Sequence, residues 1–228
     1  MQAFVPVSVA RGGAHSEKPT GIWLSESFPY LPGLYWLGKL TGDASLLKLA
    51  DEFSSQVCEL TQAANGLWHH WADENLGEKG AFWSRAQFWP LLWMTESLPA
   101  IDPSEKRVAQ MLARIQKTLD ALRQHQDPET GLWHLIIDDP HTRLESSATV
   151  GIVYCHDRLR EMGLLGDEYV DMCARAFAGL KAIHYFGGLG LGCRGTSMGT
   201  AAYYQTRPMG YYNTSLLPAV LADRLSSL

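Results

Sequence analysis

The tetrapeptide Gly-Leu-Trp-His occurs twice in this chain, at Gly66 to His69 and at Gly131 to His134, and its surroundings repeat with it. Each copy follows an amphipathic stretch and precedes a strongly apolar one. Asp43 to about Gln62 carries Leu46, Leu47, Leu49, Ala50, Phe53, Val57 and Leu60 at a helical period. Trp83 to Leu98 is apolar nearly all round, as an inner helix must be, and Pro90 falls in its first turns, where proline is tolerated. Asp102 to about Gln126 opens on Asp-Pro-Ser-Glu, a helix start, and has a charged outer face. Ser146 to Met162 is apolar again, Gly163 stops it, and Asp167 to Ile183 is amphipathic. GGAH at Gly12 to His15 is a weaker third copy. Such a unit cannot bury its apolar face alone. Stacked, about seven helices of alternating character build a toroid of helical hairpins rather than an up-and-down bundle, in one domain spanning residues 1–228.

The remaining stretches fit around this frame. Residues 1–22 are punctuated by Pro6, Gly12, Gly13, Pro19 and Gly21 and read as irregular. A helix begins near Trp23, with Ser25 or Ser27 as candidate caps and Pro29 and Pro32 forcing a late start or a bend, and it ends near Gly38. A glycine-rich loop leads past Tyr203 and Tyr204 to a last apolar helix near Tyr211 to Leu225. A toroid opens all its long loops at one end, which gathers His15, His69, His70, His134, Arg85, Arg143, Arg194 and many aromatic residues there. The segment from Gly66 to Trp89 is the densest part, with Asp73, Glu74 and Glu78 beside its tryptophans and histidines. Such a wall suits a polar ligand with flat apolar faces, such as a sugar.

Composition narrows the alternatives. A net charge of −5 with no block of Lys or Arg lacks the concentrated positive field that nucleic acid or an anionic membrane requires. No run approaches about 18 apolar residues, so we expect no membrane span and a cytoplasmic protein. Cys58, Cys155, Cys173 and Cys193 have no zinc-type spacing and read as reduced, mostly buried thiols. No HExxH or comparable spacing supports a metal, and the glycine-rich loop lacks the order of a phosphate-binding turn, so no cofactor is expected.

Several stretches resemble the unsaturated uronyl hydrolases of glycoside hydrolase families 88 and 105. Trp83-Ser84-Arg85-Ala86-Gln87-Phe88-Trp89 is similar to that family's WARGNxW, and Gly131 to Thr149 is similar to its GLWHxxLDDPxSYxETSAT. GGAH before Trp23, Gly195-Thr196, Tyr203-Tyr204 and Arg207-Pro208 follow in the same order. The resemblance implies an all-α, incomplete (α/α)6 barrel and a glycosidase of carbohydrate metabolism that needs no cofactor. Its substrate would be an oligosaccharide ending in an unsaturated uronic acid: an acid protonates C4 of the C4=C5 bond, water adds at C5, and the hemiketal releases the next sugar. It further implies that Arg85 meets the substrate's polar groups, that Trp83 and Trp89 wall the sugar site, and that Trp23, His69 or His70, Gln87 and His134 complete it.

Two departures accompany the resemblance. The family's catalytic aspartate falls on Ser25, and serine cannot serve as the acid. Glu26 is the adjacent carboxylate, about 100° away around a helix, so it substitutes only if the helix start shifts. The chain also lacks the family's N-terminal hairpins, supplying about three and a half of six, so a homodimer or a missing N-terminal segment would have to cover the open ends.

Each site residue has a plainer reading too. Trp83, Trp89 and Trp93 form a stripe that packs as core in many helices. Arg85, in so apolar a segment, needs either a structural partner, Glu145 or Asp73, or an acidic ligand. His69 and His70 read as a ligand-facing pair or a solvated one, His134 as a structural histidine between repeats or a substrate contact. Asp138-Asp139-Pro140 reads as a turn, and Glu145 as the anchor of the helix that follows.

Overall fold

The computed structural model describes residues 21–73, 77–182, 190–193, 200–206 and 209–212. Its helices are α1 (Leu24–Thr41), α2 (Ala44–Thr61), α3 (Ser84–Ser97), α4 (Lys106–Gln124), α5 (Ser147–Glu161), α6 (Val170–Ala182) and the short α7 (Ala201–Thr206). α1 packs on α3 and α3 on α5, forming an inner row, while α2 lies against α1 and α6 against α5. This is the expected all-α arc of hairpins. α3 is buried nearly all round, as its composition requires. Each fully enclosed Leu or Met, such as Leu91 and Met94, contributes about 2 kcal/mol of burial.

Short strands stitch the loops together at the end where the inner helices begin. β1 (Ile22–Trp23), β2 (Trp71–Asp73) and β3 (Glu78–Lys79) form an antiparallel sheet in that order, with Trp23 opposite Trp71. β4 (Trp133–His134) pairs with β5 (Leu144–Glu145), and Trp83 bridges to Ile136. The two GLWH loops make equivalent connections. The Leu24 amide, first in α1, donates to the His70 carbonyl, and the Ser84 amide, first in α3, donates to the Leu135 carbonyl, both at 3.0 Å. Each loop therefore turns back to cap the inner helix of its own hairpin.

The outer ends repeat as well. Gly66 and Gly131 have φ of +96° and +73°, and a Cβ on either would lie 2.4 Å from a backbone oxygen of the next outer helix, that of Lys117 or Arg175. Gln62 receives Arg114 Nη1 at 2.8 Å, and Gln126 receives Arg175 Nη2 at 2.6 Å. One glutamine and one arginine thus link each hairpin to the next.

Four expectations need correction. Neither Ser25 nor Ser27 caps α1: Trp23 holds the cap position without a side-chain bond, and the Ser27 hydroxyl donates to the Leu24 carbonyl at 2.6 Å. α1 also runs through Pro29 and Pro32 as one helix. Asp102 accepts from the Ser104 amide and hydroxyl in a local turn, so α4 starts at Lys106. Tyr211 and Tyr212 belong to a strand, β7 (Met209–Tyr212), paired with β6 (Gly190–Cys193); the rest of the expected last helix lies outside the described residues, as do His15, Glu74, Arg194 and Arg207-Pro208.

Cys58, Cys155 and Cys173 are free and buried. No helix among the described residues is long and apolar enough to cross a membrane. α1 keeps an apolar row in solvent: Tyr30 and Leu37 are each 50% exposed and Leu40 76%.

Candidate active site

The clearest concentration of polar chemistry lies where α3 begins. Trp83 sits just before the helix and is only 3% exposed. The Arg85 guanidinium carbon lies 4.1 Å from its ring centre and the Tyr204 ring stacks on it at 4.9 Å and 19°. Arg85 is itself buried, and its Nη1 reaches Ser147 Oγ at 3.5 Å. The Ser147 hydroxyl donates to Glu145 Oε1, and Ser84 Oγ donates to Glu145 Oε2 at 2.9 Å. The Ala148 amide also reaches that carboxylate, at 3.3 Å. Glu145 is therefore the expected anchor of α5, and it joins the starts of α3 and α5 around the arginine.

His70 completes the cluster from the first GLWH loop. Its ring centre lies 4.7 Å from Trp83 and 5.7 Å from Trp23, and Nδ1 hydrogen-bonds the hydroxyl of Tyr204. Burial, reinforced by the Arg85 charge, pushes its pKa down to about 3, so the ring is neutral at ordinary pH. Trp71 stacks on Trp23 at 5.7 Å. Among the described residues, the buried indole N–H groups of Trp71 and Trp83 have no hydrogen-bond partner. Asp73, two residues beyond Trp71 on β2, is a buried carboxylate on the same strand.

The other expected residues are placed differently. His69 donates Nδ1–H to the Gly80 carbonyl at 2.6 Å, and His134 donates Nδ1–H to the Thr142 carbonyl at 2.6 Å. Gln87 is enclosed: Oε1 accepts from the Trp68 amide at 2.8 Å, and Nε2 donates to the Trp68 and Trp83 carbonyls at 2.9 and 3.0 Å. Its amide is fully engaged in holding the first loop to α3. Trp89 is half-buried with its ring 6.0 Å from that of Phe28, which lies one helical turn after Ser25. Ser25 is half-buried as the second residue of α1, and the side chain of Glu26 lies outside the described residues. The sequence reading gave no role to Trp71, Ser147 or Tyr204. All three stand inside the quoted stretches, but Tyr204 meets His70 across 134 residues, a distance no local spacing reveals.

An arc of helical hairpins with an aromatic, histidine and arginine cluster at the inner-helix starts defines the α/α-toroid class. Solved members are similar in shape. A possible member of GH105 from Salmonella enterica superposes with a TM-score of 0.82 at 23% identity, over 92% of this chain and 57% of that one. A possible GH105 member from Klebsiella pneumoniae gives 0.83 at 23%, over 96% and 60%. Within that class the sequence is specific, because residues 10–222 match Glycosyl Hydrolase Family 88, and the chain belongs to this family.

The unsaturated rhamnogalacturonyl hydrolase YesR of Bacillus subtilis is 36% identical over 107 residues, which are 46% of this chain and 30% of YesR. Protein Atu3128 of Agrobacterium fabrum is 26% identical over 210 residues, covering 78% of this chain and 89% of that protein. The chain thus spans under a third of YesR and less than two thirds of the two solved structures, but most of the Agrobacterium protein.

Proposed function

We propose that this protein acts on oligosaccharides ending in an unsaturated uronic acid, hydrating the C4=C5 double bond so that the neighbouring sugar is lost. The observation that carries this reading is the pair of buried indole N–H donors, Trp71 and Trp83, that have no hydrogen-bond partner among the described residues, with Trp83 packed against His70 and the enclosed Arg85 guanidinium. Buried donors without acceptors are costly, and a ligand rich in oxygen satisfies them. A planar guanidinium suits a carboxylate, which a uronic acid supplies. The likeness to an unsaturated rhamnogalacturonyl hydrolase points to the same substrate class.

In this reading Trp23, His70, Trp83 and Arg85 face the sugar, with Trp89 further along α3. Gln87, His69 and His134 hold the loops in place. Glu26 is the proton donor in place of the serine at position 25, with Asp73 the second carboxylate to test. The apolar row on α1 is covered by a second copy or by further hairpins; a stable, monodisperse monomer in light scattering overturns that part.

The test follows the ultraviolet absorbance of the conjugated uronate on lyase-generated pectin and glycosaminoglycan disaccharides, comparing wild type with Glu26→Gln and Asp73→Asn. Absorbance lost with wild type, kept with Glu26→Gln and lost with Asp73→Asn assigns the acid to Glu26. A second reading, a sugar-binding form without catalysis, is favoured by Ser25 and by the enclosure of the cluster. Binding of those disaccharides in calorimetry with no turnover by the folded protein would establish it.

A further inference from the structure

Tyr204 comes to the site from far along the chain and is fully enclosed there. Its ring stacks on Trp83 and meets Tyr203 edge-on at 5.5 Å, so packing fixes the plane of the phenol independently of its hydroxyl. That hydroxyl meets His70 Nδ1. The chemistry of the two groups sets the direction of the bond. A phenol O–H is a good donor and its oxygen a poor acceptor, whereas the unprotonated nitrogen of a neutral imidazole accepts strongly. We propose that Tyr204 is a positioning residue: its hydroxyl donates to His70 Nδ1 and confines the ring proton to Nε2, making His70 a neutral hydrogen-bond donor in the site.

The adjacent histidine provides an internal contrast. His69 Nδ1 faces a carbonyl, which only accepts, so its neutral ring carries the proton on Nδ1; His134 Nδ1 likewise donates to a carbonyl one repeat later. Two neighbouring histidines in one loop therefore hold opposite tautomers. The difference arises because one ring meets main chain and the other meets a phenol. A neutral Nε2–H donor stabilises an oxygen as it gains charge, and it does not compete for the proton that a carboxylic acid delivers. That consequence rests on the proposed hydrolase reading, whereas the tautomer itself does not.

The experiment is nitrogen NMR of the full chain with isotope-labelled histidine, His70 being assigned by its absence in His70→Gln. Wild type should show a protonated Nε2 and a bare Nδ1 for His70, and the reverse for His69. Tyr204→Phe keeps the stacked ring and removes only the hydroxyl; it should mix the two tautomers of His70 and leave the His69 signals in place. A His70 proton on Nδ1 in wild type, or unchanged His70 signals in Tyr204→Phe, overturns the proposal. If wild type consumes an unsaturated disaccharide, Tyr204→Phe should lower kcat by about tenfold with little change in KM. If no substrate is consumed, the hydrolase reading fails and the nitrogen signals alone decide the role of Tyr204.

Discussion

His69 and His134 stand one repeat apart and make the same bond: each donates Nδ1–H to a main-chain carbonyl 2.6 Å away, Gly80 for one and Thr142 for the other. The fourth residue of GLWH therefore closes its loop onto the segment that returns beside it, just after β3 in one copy and just before β5 in the other. The next residue is where the copies diverge, His70 entering the site and Leu135 entering the core.

Replacing either loop-closing histidine should be felt in stability before chemistry. His69→Ala and His134→Ala are each expected to cost about 1–2 kcal/mol, from one lost hydrogen bond and the carbonyl left behind. Thermal unfolding measures this. Turnover that falls far more than the stability of either variant would return that histidine to the substrate.

His70 makes stability depend on acid. Its folded pKa of about 3 lies below the ordinary value, so the unfolded chain binds the proton more readily between these values. The contribution of the neutral ring is complete above about pH 6.5 and declines as pH falls towards 3, at about 1 kcal/mol per pH unit. Burial depresses His69 in the same direction. Urea midpoints should drop between pH 7 and pH 5 in wild type and drop less in His70→Gln.

Arg85 holds the cluster through both charge and shape. Arg85→Ala removes a donor to Ser147 and empties the contact with Trp83, an expected loss of about 3 kcal/mol. Arg85→Lys keeps the charge but loses the planar stack, so it should recover part of the stability while binding an unsaturated uronate at least tenfold more weakly. Denaturation and calorimetry on the two variants separate these effects.

Gly131→Ala combines two penalties. The positive φ strains any side chain, and the new Cβ would lie 2.4 Å from the Arg175 oxygen. A loss of about 2 kcal/mol or more is expected, a fall of several degrees in Tm. Gly66→Ala should behave alike, because its Cβ would meet Lys117 in the same way.

The alternation of inner and outer helices was legible because it is periodic, and the burial of α3 follows from its residues alone. The cap of α1 was not, since serine positions suggest a local bond and the structure takes the cap from the His70 carbonyl. The Gln62 and Arg114 link is separated by 52 residues, and a glutamine after a helix carries no mark of its partner. At the site, Arg85 and Glu145 could be singled out because charge in an apolar segment demands an explanation. Tyr204 could not, because an aromatic residue in a short helix is ordinary until its neighbours are known. Gln87 is a related case: the residues around it resemble a binding motif, while its own amide bonds three backbone groups of the fold.

The repeated glutamine, arginine and glycine contacts also govern curvature. Each hairpin takes its angle from the one beside it, through contacts that refer to nothing beyond that neighbour. Bending is thus a local instruction, copied from unit to unit, and an arc can carry it faithfully without ever meeting its own tail. That is why a chain spanning 57% of a longer relative follows its course at a TM-score of 0.82.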